Sequence, residues 1–415
     1  MDAMPSPDTR FSPAFQRLAW SNLAAQSAEQ VALAAAPIVA VFALGASTGA
    51  TGLLAIAQSL PFLLLSFPAG VLADRTPRLR LMIGAEGVRA LTMLAVPALI
   101  LAGHISLTLL AALAVVATTA TIVFSVAAPS LIPALVARED LGAANGRVEL
   151  ARSLAYAGGP AIAGAVVGWF GASSAFLLTA ILSVAAIILL RGIAEPPRPA
   201  PPPRHFLRDL EEGATFALAH PLLRPMLFTA VAWNTGWFVL AAAYAPYAAE
   251  IMHLDAQATG FTLAGYGAGM VCSALFSQRI INAMPFGMAI IFGPVLSFAA
   301  IAIMALTLVF PSAWLAGLAY VTIGIGSLIW VVTTQTLRQT VAPAGMIGRL
   351  SAITIMATAG ARPIGAAIGA AIGAAYGPGP CILAALVFYG VQLAIITLSP
   401  VRALKALPQG GEQGQ

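Results

Sequence analysis

The sequence predicts an all-α membrane protein with twelve transmembrane helices arranged as two pseudo-symmetric six-helix bundles. Three observations lead to this prediction: long apolar stretches recur along the chain, basic residues fall in every second gap between them, and the two halves share an internal repeat. Hydrophobic residues make up 60% of the 415 residues, whereas Asp, Glu, Lys and Arg together make up 8%. Soluble domains carry about 25% charged residues, so this chain has too little charge to cover a surface that faces water.

Twelve apolar stretches are long enough to cross a hydrocarbon core, which takes about 20 residues of helix. Six precede residue 193 and six follow residue 220. The predicted spans are 14–44, 49–73, 80–102, 105–136, 144–170, 173–192, 221–249, 256–282, 286–309, 312–338, 346–375 and 379–400.

Basic residues occupy alternate gaps between these spans. The gaps after the odd-numbered spans contain neither Arg nor Lys. The gaps after the even-numbered spans contain or border Arg75, Arg78, Arg80, Arg138, Arg147, Arg198, Arg204, Arg208, Arg224, Arg279, Arg338 and Arg349. Because cytoplasmic loops of membrane proteins carry the excess of basic residues, we expect both termini to be cytoplasmic, in a bacterial inner membrane. The basic residues form no patch, so a nucleic-acid partner is not expected.

The internal repeat has a period of about 200 residues. Pro363 lies 203 positions after Pro160, and Arg349 lies 202 positions after Arg147. Each Pro is followed by a run of small residues, and each Arg comes from the preceding basic turn. A duplication of six helices explains both offsets, and such parallel repeats are a known transporter architecture.

The repeat divides the chain into four predicted parts: an N-terminal bundle (1–192), a cytoplasmic linker (193–220), a C-terminal bundle (221–400) and a cytoplasmic tail (401–415). The linker begins with the Pro-rich sequence AEPPRPAPPPR, which favours an extended chain. The following segment, RHFLRDLEEGATFALAH, is amphipathic. We expect it to form a helix at the membrane surface, and the alternative is a solvated loop.

An acidic residue, Glu29, stands halfway along the first span. An ionisable residue at the centre of a membrane helix costs about 2.5–3.5 kcal/mol on insertion scales, so it is a functional candidate. Gln26 and Gln30 flank it on one side of the helix. A carboxyl group in a low-dielectric cavity can exchange a proton near neutral pH, which proton-coupled transport requires. The alternative is a structural Glu that joins helices.

Other charged residues lie closer to the cytoplasmic boundary. Glu86 and Arg89, three apart on span three, can pair on one helix face, and Glu149 and Arg152 can do so on span five. Each pair is interpreted either as a salt bridge that makes the charges tolerable or as part of a cytoplasmic gate. Arg362 is deeper and has no acidic neighbour on its own helix, so it needs a partner from another helix or a water-filled cavity. That partner is a bound anionic substrate, Glu29 or a carbonyl group.

The turn after span two, GVLADRTPRLR, resembles the signature of the major facilitator superfamily between its second and third helices. The matching residues are Gly70, Asp74, Arg75, Arg78 and Arg80. Pro77 departs from the pattern, because the family usually has Gly there. The turns LIPALVAREDLGAANG and GMIGRLS, and the segment GATFALAHPLLR, resemble the branch that includes the enterobactin exporter and macrolide-efflux permeases.

This resemblance implies a central cavity between the bundles and a charge latch on the cytoplasmic side. The latch would involve Asp74 and the nearby Arg residues; the alternative is that the Arg residues only set the orientation. An acidic residue often stands at the position of Glu29 in this branch. The helices that line the cavity in the superfamily supply the candidate substrate contacts Gln26, Gln30, Trp233, Asn234, Trp237, Trp330 and Gln335, with Arg362 beside them; the alternative for each Trp is packing or lipid contact.

These observations predict a secondary transporter rather than an enzyme. The expected function is proton-coupled export of small amphiphilic molecules, drugs or siderophores, by alternating access. The alternatives are an importer of a small polar nutrient, a lipid or lysolipid flippase, and a membrane receptor without transport activity. The sequence has no GxxxxGK[ST] loop for ATP and no metal-binding motif, so no cofactor or metal is expected. The expected partners are a small-molecule substrate, protons and the lipid bilayer, and the chain is expected to be a monomer.

Overall fold

The computed structural model describes residues 11–137, 140–195, 206–343 and 346–408. These residues form thirteen α-helices and a short terminal 3-10 helix, Pro400–Ala403. The α-helices are α1 (Pro13–Phe42), α2 (Thr48–Arg75), α3 (Arg78–Leu101), α4 (Leu107–Leu135), α5 (Leu141–Phe170), α6 (Ala172–Arg191), α7 (Phe206–Ala219), α8 (Leu223–Glu250), α9 (Ala256–Asn282), α10 (Phe286–Leu306), α11 (Ala313–Val341), α12 (Ile347–Tyr376) and α13 (Pro378–Thr397).

All these helices except α7 are long and apolar enough to cross a membrane, which makes twelve spans within the described part of the chain. Each predicted span begins and ends within three residues of the corresponding helix. Apolar side chains cover the outside of the molecule; Leu91, Ile188 and Val387 are each at least 64% exposed. A soluble monomer rarely exposes such large apolar patches. The chain is therefore an integral membrane protein, as predicted.

Local sequence explains where the helices begin and turn. Ser12, Ser47, Ser106 and Ser312 each accept a hydrogen bond from a backbone N–H in the first turn of the helix that follows. Two turns consist of one glycine each: Gly171 between α5 and α6, and Gly377 between α12 and α13. Both have positive φ, 85° and 79°, which other residues rarely adopt. The two turns are equivalent in the repeat.

The packing of the helices repeats in the two halves. In the first half, α1 packs against α5 and α6, α3 against α4 and α6, and α2 against α4. In the second half, α8 packs against α12 and α13, α10 against α11 and α13, and α9 against α11. Each helix of the second half has the neighbours of its counterpart in the first. The predicted fold class, two pseudo-symmetric six-helix bundles, is confirmed.

The most extensive contacts between the bundles are made by two equivalent helix pairs, α5 with α9 and α2 with α12. Close approach occurs where small residues face each other. A Cβ atom built on Gly164 of α5 would lie 2.4 Å from the Cα of Gly260 of α9, and one built on Gly49 of α2 would lie 2.8 Å from the Cβ of Ala374 of α12. All four positions are near the helix ends farthest from the chain termini, so the bundles are joined tightly at that end.

The segment of the linker that follows the Pro-rich stretch forms α7, as predicted, and its position at the membrane surface stays a prediction. The Pro-rich stretch lies outside the described residues from position 196 to 205, as do the side chains at positions 206–210. Phe216 and Ala217 belong to an apolar cluster at the base of the second bundle. Glu212 forms an ion pair with Arg349 of α12, with 2.5 Å between Oε2 and Nη1.

We expect Gly164→Ala to lower the free energy of unfolding by about 1–3 kcal/mol, because the added methyl group overpacks the contact between the bundles. Gly158→Ala is the matched control on the same helix. A Cβ atom there would meet nothing closer than 3.6 Å, from the Cδ1 of Ile162. Thermal unfolding of the purified variants in detergent measures both effects, and equal stability of the two variants would contradict the proposed contact.

The junction between α7 and α8 predicts a pH effect on stability. The Nδ1 atom of His220 accepts hydrogen bonds from the backbone N–H groups of Leu222 and Leu223, at 3.2 and 3.4 Å, and burial lowers the pKa of His220 below its ordinary value of 6.5. The neutral form is therefore favoured in the folded protein. The neutral imidazole of His220 contributes fully to stability at a pH above the pKa of His220 in the unfolded chain. This contribution is lost as the pH falls below about 6.5.

We therefore expect the wild type to lose more thermal stability than His220→Ala when the pH falls from 7.5 to 5.5. His253→Ala, at an exposed site between α8 and α9, is the control and is expected to follow the wild type. Parallel pH profiles for all three proteins would show that His220 does not contribute.

Candidate functional site

Glu29 lies halfway along α1, partly exposed at the wall of a cavity of about 490 Å³. Helices α1, α2, α3, α4 and α6 line this cavity, so it lies within the first bundle. Its polar lining consists of Glu29, Gln58, Arg89, Thr118 and Thr121, and its other walls are apolar. Gln58 was not predicted, because one Gln within an apolar span produces no periodic signal.

Four charged side chains lie within electrostatic range of the Glu29 carboxylate: Arg89, Arg152, Arg362 and Glu86. They come from α3, α5 and α12, so both bundles contribute. Among the residues that the structure describes, none forms a hydrogen bond or an ion pair with Glu29. The carboxylate is therefore attracted by several cations without being bound to any one of them.

Arg89 and Glu86 form the ion pair that their spacing predicted. The Nη2 atom of Arg89 lies 2.5 Å from Oε1 of Glu86, and the two side chains are 2% and 1% exposed. The guanidinium group also donates hydrogen bonds to three other helices: to the Ala25 carbonyl of α1, to Thr121 of α4 and to Ser183 of α6. This position in the interior of the first bundle favours the structural salt bridge over the predicted cytoplasmic gate.

The predicted gate residues Gly70, Arg75, Arg78 and Arg80 lie at the end of α2 and the start of α3, as the signature implies. Arg75 and Arg80 are exposed, and Arg78 is buried. The Asp74 side chain lies outside the described residues, so its predicted role in the latch stays a prediction.

The structure adds Glu195, which was not predicted. Its carboxylate accepts hydrogen bonds from the backbone N–H groups of Arg78 and Leu79, both at 3.0 Å, and so caps the N-terminus of α3. The beginning of the linker is thereby tied to the turn that carries the signature. A carboxylate can cap a helix N-terminus that is remote in sequence, so the sequence carries no signal for this contact.

The second predicted pair, Glu149 and Arg152, is described in part, because the Glu149 side chain lies outside the described residues. Arg152 is exposed on α5, and its guanidinium carbon lies 5.7 Å from the ring centroid of Tyr156. Tyr266 of α9 is within electrostatic range of both Arg152 and Arg362. Tyr266 is therefore a further candidate at this site. The sequence did not indicate it, because one tyrosine on an apolar helix is not distinctive.

Arg362 finds its partners on other helices, as its isolation on α12 required. Its guanidinium carbon lies 5.3 Å from the ring centroid of Phe62 of α2 and 5.8 Å from that of Phe238 of α8. Its Nε atom is buried and has no hydrogen-bond partner among the described residues. Aromatic faces stabilise a cation, but they leave its N–H groups available to an acceptor.

The predicted aromatic contacts on α8 pack mainly against each other. The Trp233 and Trp237 rings are stacked with centroids 5.4 Å apart, and Tyr266 lies 4.9 Å from Trp237. The Trp233 indole donates a hydrogen bond to Ser297, at 3.3 Å. Asn234 donates back to the backbone carbonyl four residues earlier on its own helix, at 2.9 Å. The contacts of Trp233 therefore favour a packing role over contact with substrate. Trp237 contacts both Trp233 and Tyr266 and so connects the two.

The other predicted cavity residues are dispersed. Gln26 is partly exposed, and Gln30 is buried where α1 meets α5, with no partner for its Nε2 atom among the described residues. Trp330 lines a different cavity in the second bundle, and Gln335 is exposed. The structure therefore brings Arg362 toward Glu29 but leaves Trp330 and Gln335 away from that site.

We expect Arg89→Met to destabilise the protein by about 3–5 kcal/mol, because the Glu86 charge would remain buried without its partner. The double variant Glu86→Gln/Arg89→Met removes both charges and is expected to recover part of the loss. Arg191→Met, at an exposed site at the end of α6, is the control. Thermal unfolding in detergent measures the series, and a double variant no more stable than Arg89→Met would contradict the ion-pair role.

Comparisons with known proteins agree with this architecture. The profile of the Major Facilitator Superfamily matches residues 18–370. The chain is 26% identical over 280 residues to the enterobactin exporter EntS of Shigella flexneri, and the alignment covers 66% of this chain and 65% of that protein. It is 26% identical over 284 residues to EntS of Escherichia coli strain SE11, covering 67% of this chain and 66% of the relative. The chain thus matches about two thirds of the length of these relatives.

Solved structures of low sequence identity share the fold. The nucleoside transporter NupG superposes with a TM-score of 0.73 at 12% identity, covering 92% of this chain and 99% of that one. A bacterial homologue of the human lysosomal transporter Spinster, in an inward-facing conformation, superposes with a TM-score of 0.69 at 16% identity. The superposition covers 97% of this chain and 98% of that one. With the profile match over most of the chain, these results establish that the protein belongs to the major facilitator superfamily and is a membrane transport protein.

Proposed function

We propose that this protein is a proton-coupled exporter of small amphiphilic molecules. The observation that carries the proposal is the state of Glu29, a carboxylate at a cavity wall with no hydrogen-bond partner among the described residues. Structural charges inside a membrane protein are normally paired, as Glu86 is with Arg89. A carboxylate that is not paired is available to take up and release a proton.

The surroundings of Glu29 support a link between proton and substrate. Arg89, Arg152 and Arg362 attract its charged form from three other helices. Protonation of Glu29 removes this attraction and leaves Arg362, whose buried Nε atom has no hydrogen-bond partner among the described residues, available to bind a substrate. Proton binding on α1 of the first bundle is thereby coupled to the charge on α12 of the second bundle, which is the coupling that antiport requires.

Alternating access would use the two bundles, residues 1–192 and 221–400, as rigid bodies within a monomer. With the termini in the cytoplasm of a bacterial cell, the glycine contacts between α5 and α9 and between α2 and α12 would close the periplasmic side of the inner membrane. The cytoplasmic latch would involve Asp74 with Arg75, Arg78 and Arg80, and Glu149 with Arg152.

The chemistry of the cavity and the relatives support an amphiphilic substrate. Most side chains that line the Glu29 cavity are apolar, with Gln58, Thr118 and Thr121 as hydrogen-bonding groups. A small polar nutrient would need more polar groups than this lining provides. The relatives named enterobactin exporters favour siderophores as the first compounds to test, followed by drugs.

We expect Glu29→Gln to abolish transport driven by a pH gradient in proteoliposomes while leaving substrate exchange at equal pH on both sides. The amide keeps the shape of the side chain but cannot exchange a proton. Glu250→Gln, at an exposed site at the end of α8, is the matched control and is expected to transport like the wild type.

The substrate panel consists of labelled catecholate siderophores and amphiphilic drugs. Unchanged pH dependence in Glu29→Gln would eliminate Glu29 as the proton site. Wild-type transport that does not respond to a proton gradient would contradict the coupling of protons to substrate. Transport of the substrate in the direction opposite to export would favour an importer.

A further inference from the structure

A second cavity lies in the second bundle, between α7, α8, α11 and α12, and measures about 430 Å³. It is formed by the last residues of α7, the first turns of α8 and α12, and the last turns of α11. These ends all lie on the side of the molecule that carries the chain termini.

The lining of this cavity combines one cation with apolar walls. Leu223, Met226 and Leu350 are among the apolar residues, and Arg338 is the only charged side chain among the described residues that line it. Thr334 and Thr354 add hydroxyl groups. Within the part of the chain that the structure describes, the lining therefore offers a positive charge and no negative one.

The Arg338 guanidinium is incompletely satisfied. Its Nη1 atom donates a hydrogen bond to the Thr354 hydroxyl, at 3.0 Å. Its Nε atom is buried and has no hydrogen-bond partner among the described residues. Arg338 belongs to the last turn of α11, where the helix dipole favours a cation, but the dipole supplies no acceptor for Nε. A buried unsatisfied donor on a charged group is costly, so an anionic acceptor would stabilise the site.

We infer that this cavity binds a single-chain anionic amphiphile, with its acidic head on Arg338 and Thr354 and its chain along the apolar walls. The location at the ends of spanning helices is the depth at which lipid headgroups meet the acyl region. A simple anion would leave the apolar walls unused, and a zwitterionic head would bring a second cation next to Arg338. The inference does not rest on the proposed function, because Glu29 belongs to a different cavity.

The test measures equilibrium binding to the full-length purified protein in a non-ionic detergent, by native mass spectrometry. The probes are lysophosphatidylglycerol and myristate, with lysophosphatidylcholine and inorganic phosphate for comparison. We expect the wild type to bind the two anionic amphiphiles more tightly than either comparison compound. Arg338→Gln is expected to weaken their binding by about tenfold or more, because a charge-assisted hydrogen bond is lost.

Two further variants test whether binding depends on this cavity rather than on surface charge. Arg279→Gln removes an exposed charge from the last turn of α9 and is expected to bind like the wild type. Ala230→Phe fills part of the apolar wall and is expected to weaken binding of the amphiphiles while Arg338 remains in place. It also provides the decisive test if Arg338→Gln does not fold.

Binding of lysophosphatidylglycerol alone would identify a phospholipid site, whereas binding of myristate as well would identify a site for anionic amphiphiles in general. Equal affinity for lysophosphatidylcholine, an equal loss in Arg279→Gln, or wild-type affinity in Ala230→Phe would overturn the inference. Glu29→Gln is expected to keep this binding intact, so a failure of the proton-coupling proposal is distinguishable from a failure of this one.

Discussion

The contacts of Arg89 show the constraint on which the first bundle depends, because a charge inside the membrane must be satisfied by the protein itself. Arg89 meets it with an ion pair to Glu86 and with hydrogen bonds to α1, α4 and α6. Four of the six helices of the bundle therefore share one guanidinium group. Such a hub holds these helices in one arrangement, since displacing any of them would leave a buried donor unpaired.

Two other charges within the membrane, Arg362 and Glu29, are satisfied less completely among the described residues, and the difference separates structural from functional candidates. Arg362 contacts two aromatic rings from two other helices, α2 and α8, and keeps a buried Nε without an acceptor among the described residues. Glu29 is attracted by cations at longer range and has no hydrogen bond among those residues. The fully paired charges join helices, whereas the incompletely paired ones are available to a proton or a ligand.

The contact between the bundles follows a different principle, because it depends on small side chains rather than on charges. Gly164 and Gly260 allow two helix backbones to touch, and the equivalent pair of helices meets through Gly49 and Ala374. Lipid tails are as apolar as the helices, so close van der Waals packing stabilises such contacts. A surface of small residues also permits two rigid bundles to change their angle without separating interlocked large side chains, which is compatible with the proposed alternating access.

The sequence by itself determined the number of spans, their boundaries within three residues, the two-bundle fold and the superfamily. The spans and the fold depend on composition and spacing along the chain, since a helix in lipid satisfies its own backbone. The superfamily was indicated by the resemblance of the turn after span two to the family signature. The tertiary structure decided which charged and aromatic residues share a site. It paired Glu86 with Arg89 in the interior of the first bundle, brought Arg362 toward Glu29 and separated Trp330 into another cavity. These relations depend on the rotation and depth of each helix, which neighbouring helices fix and the apolar pattern along one helix does not.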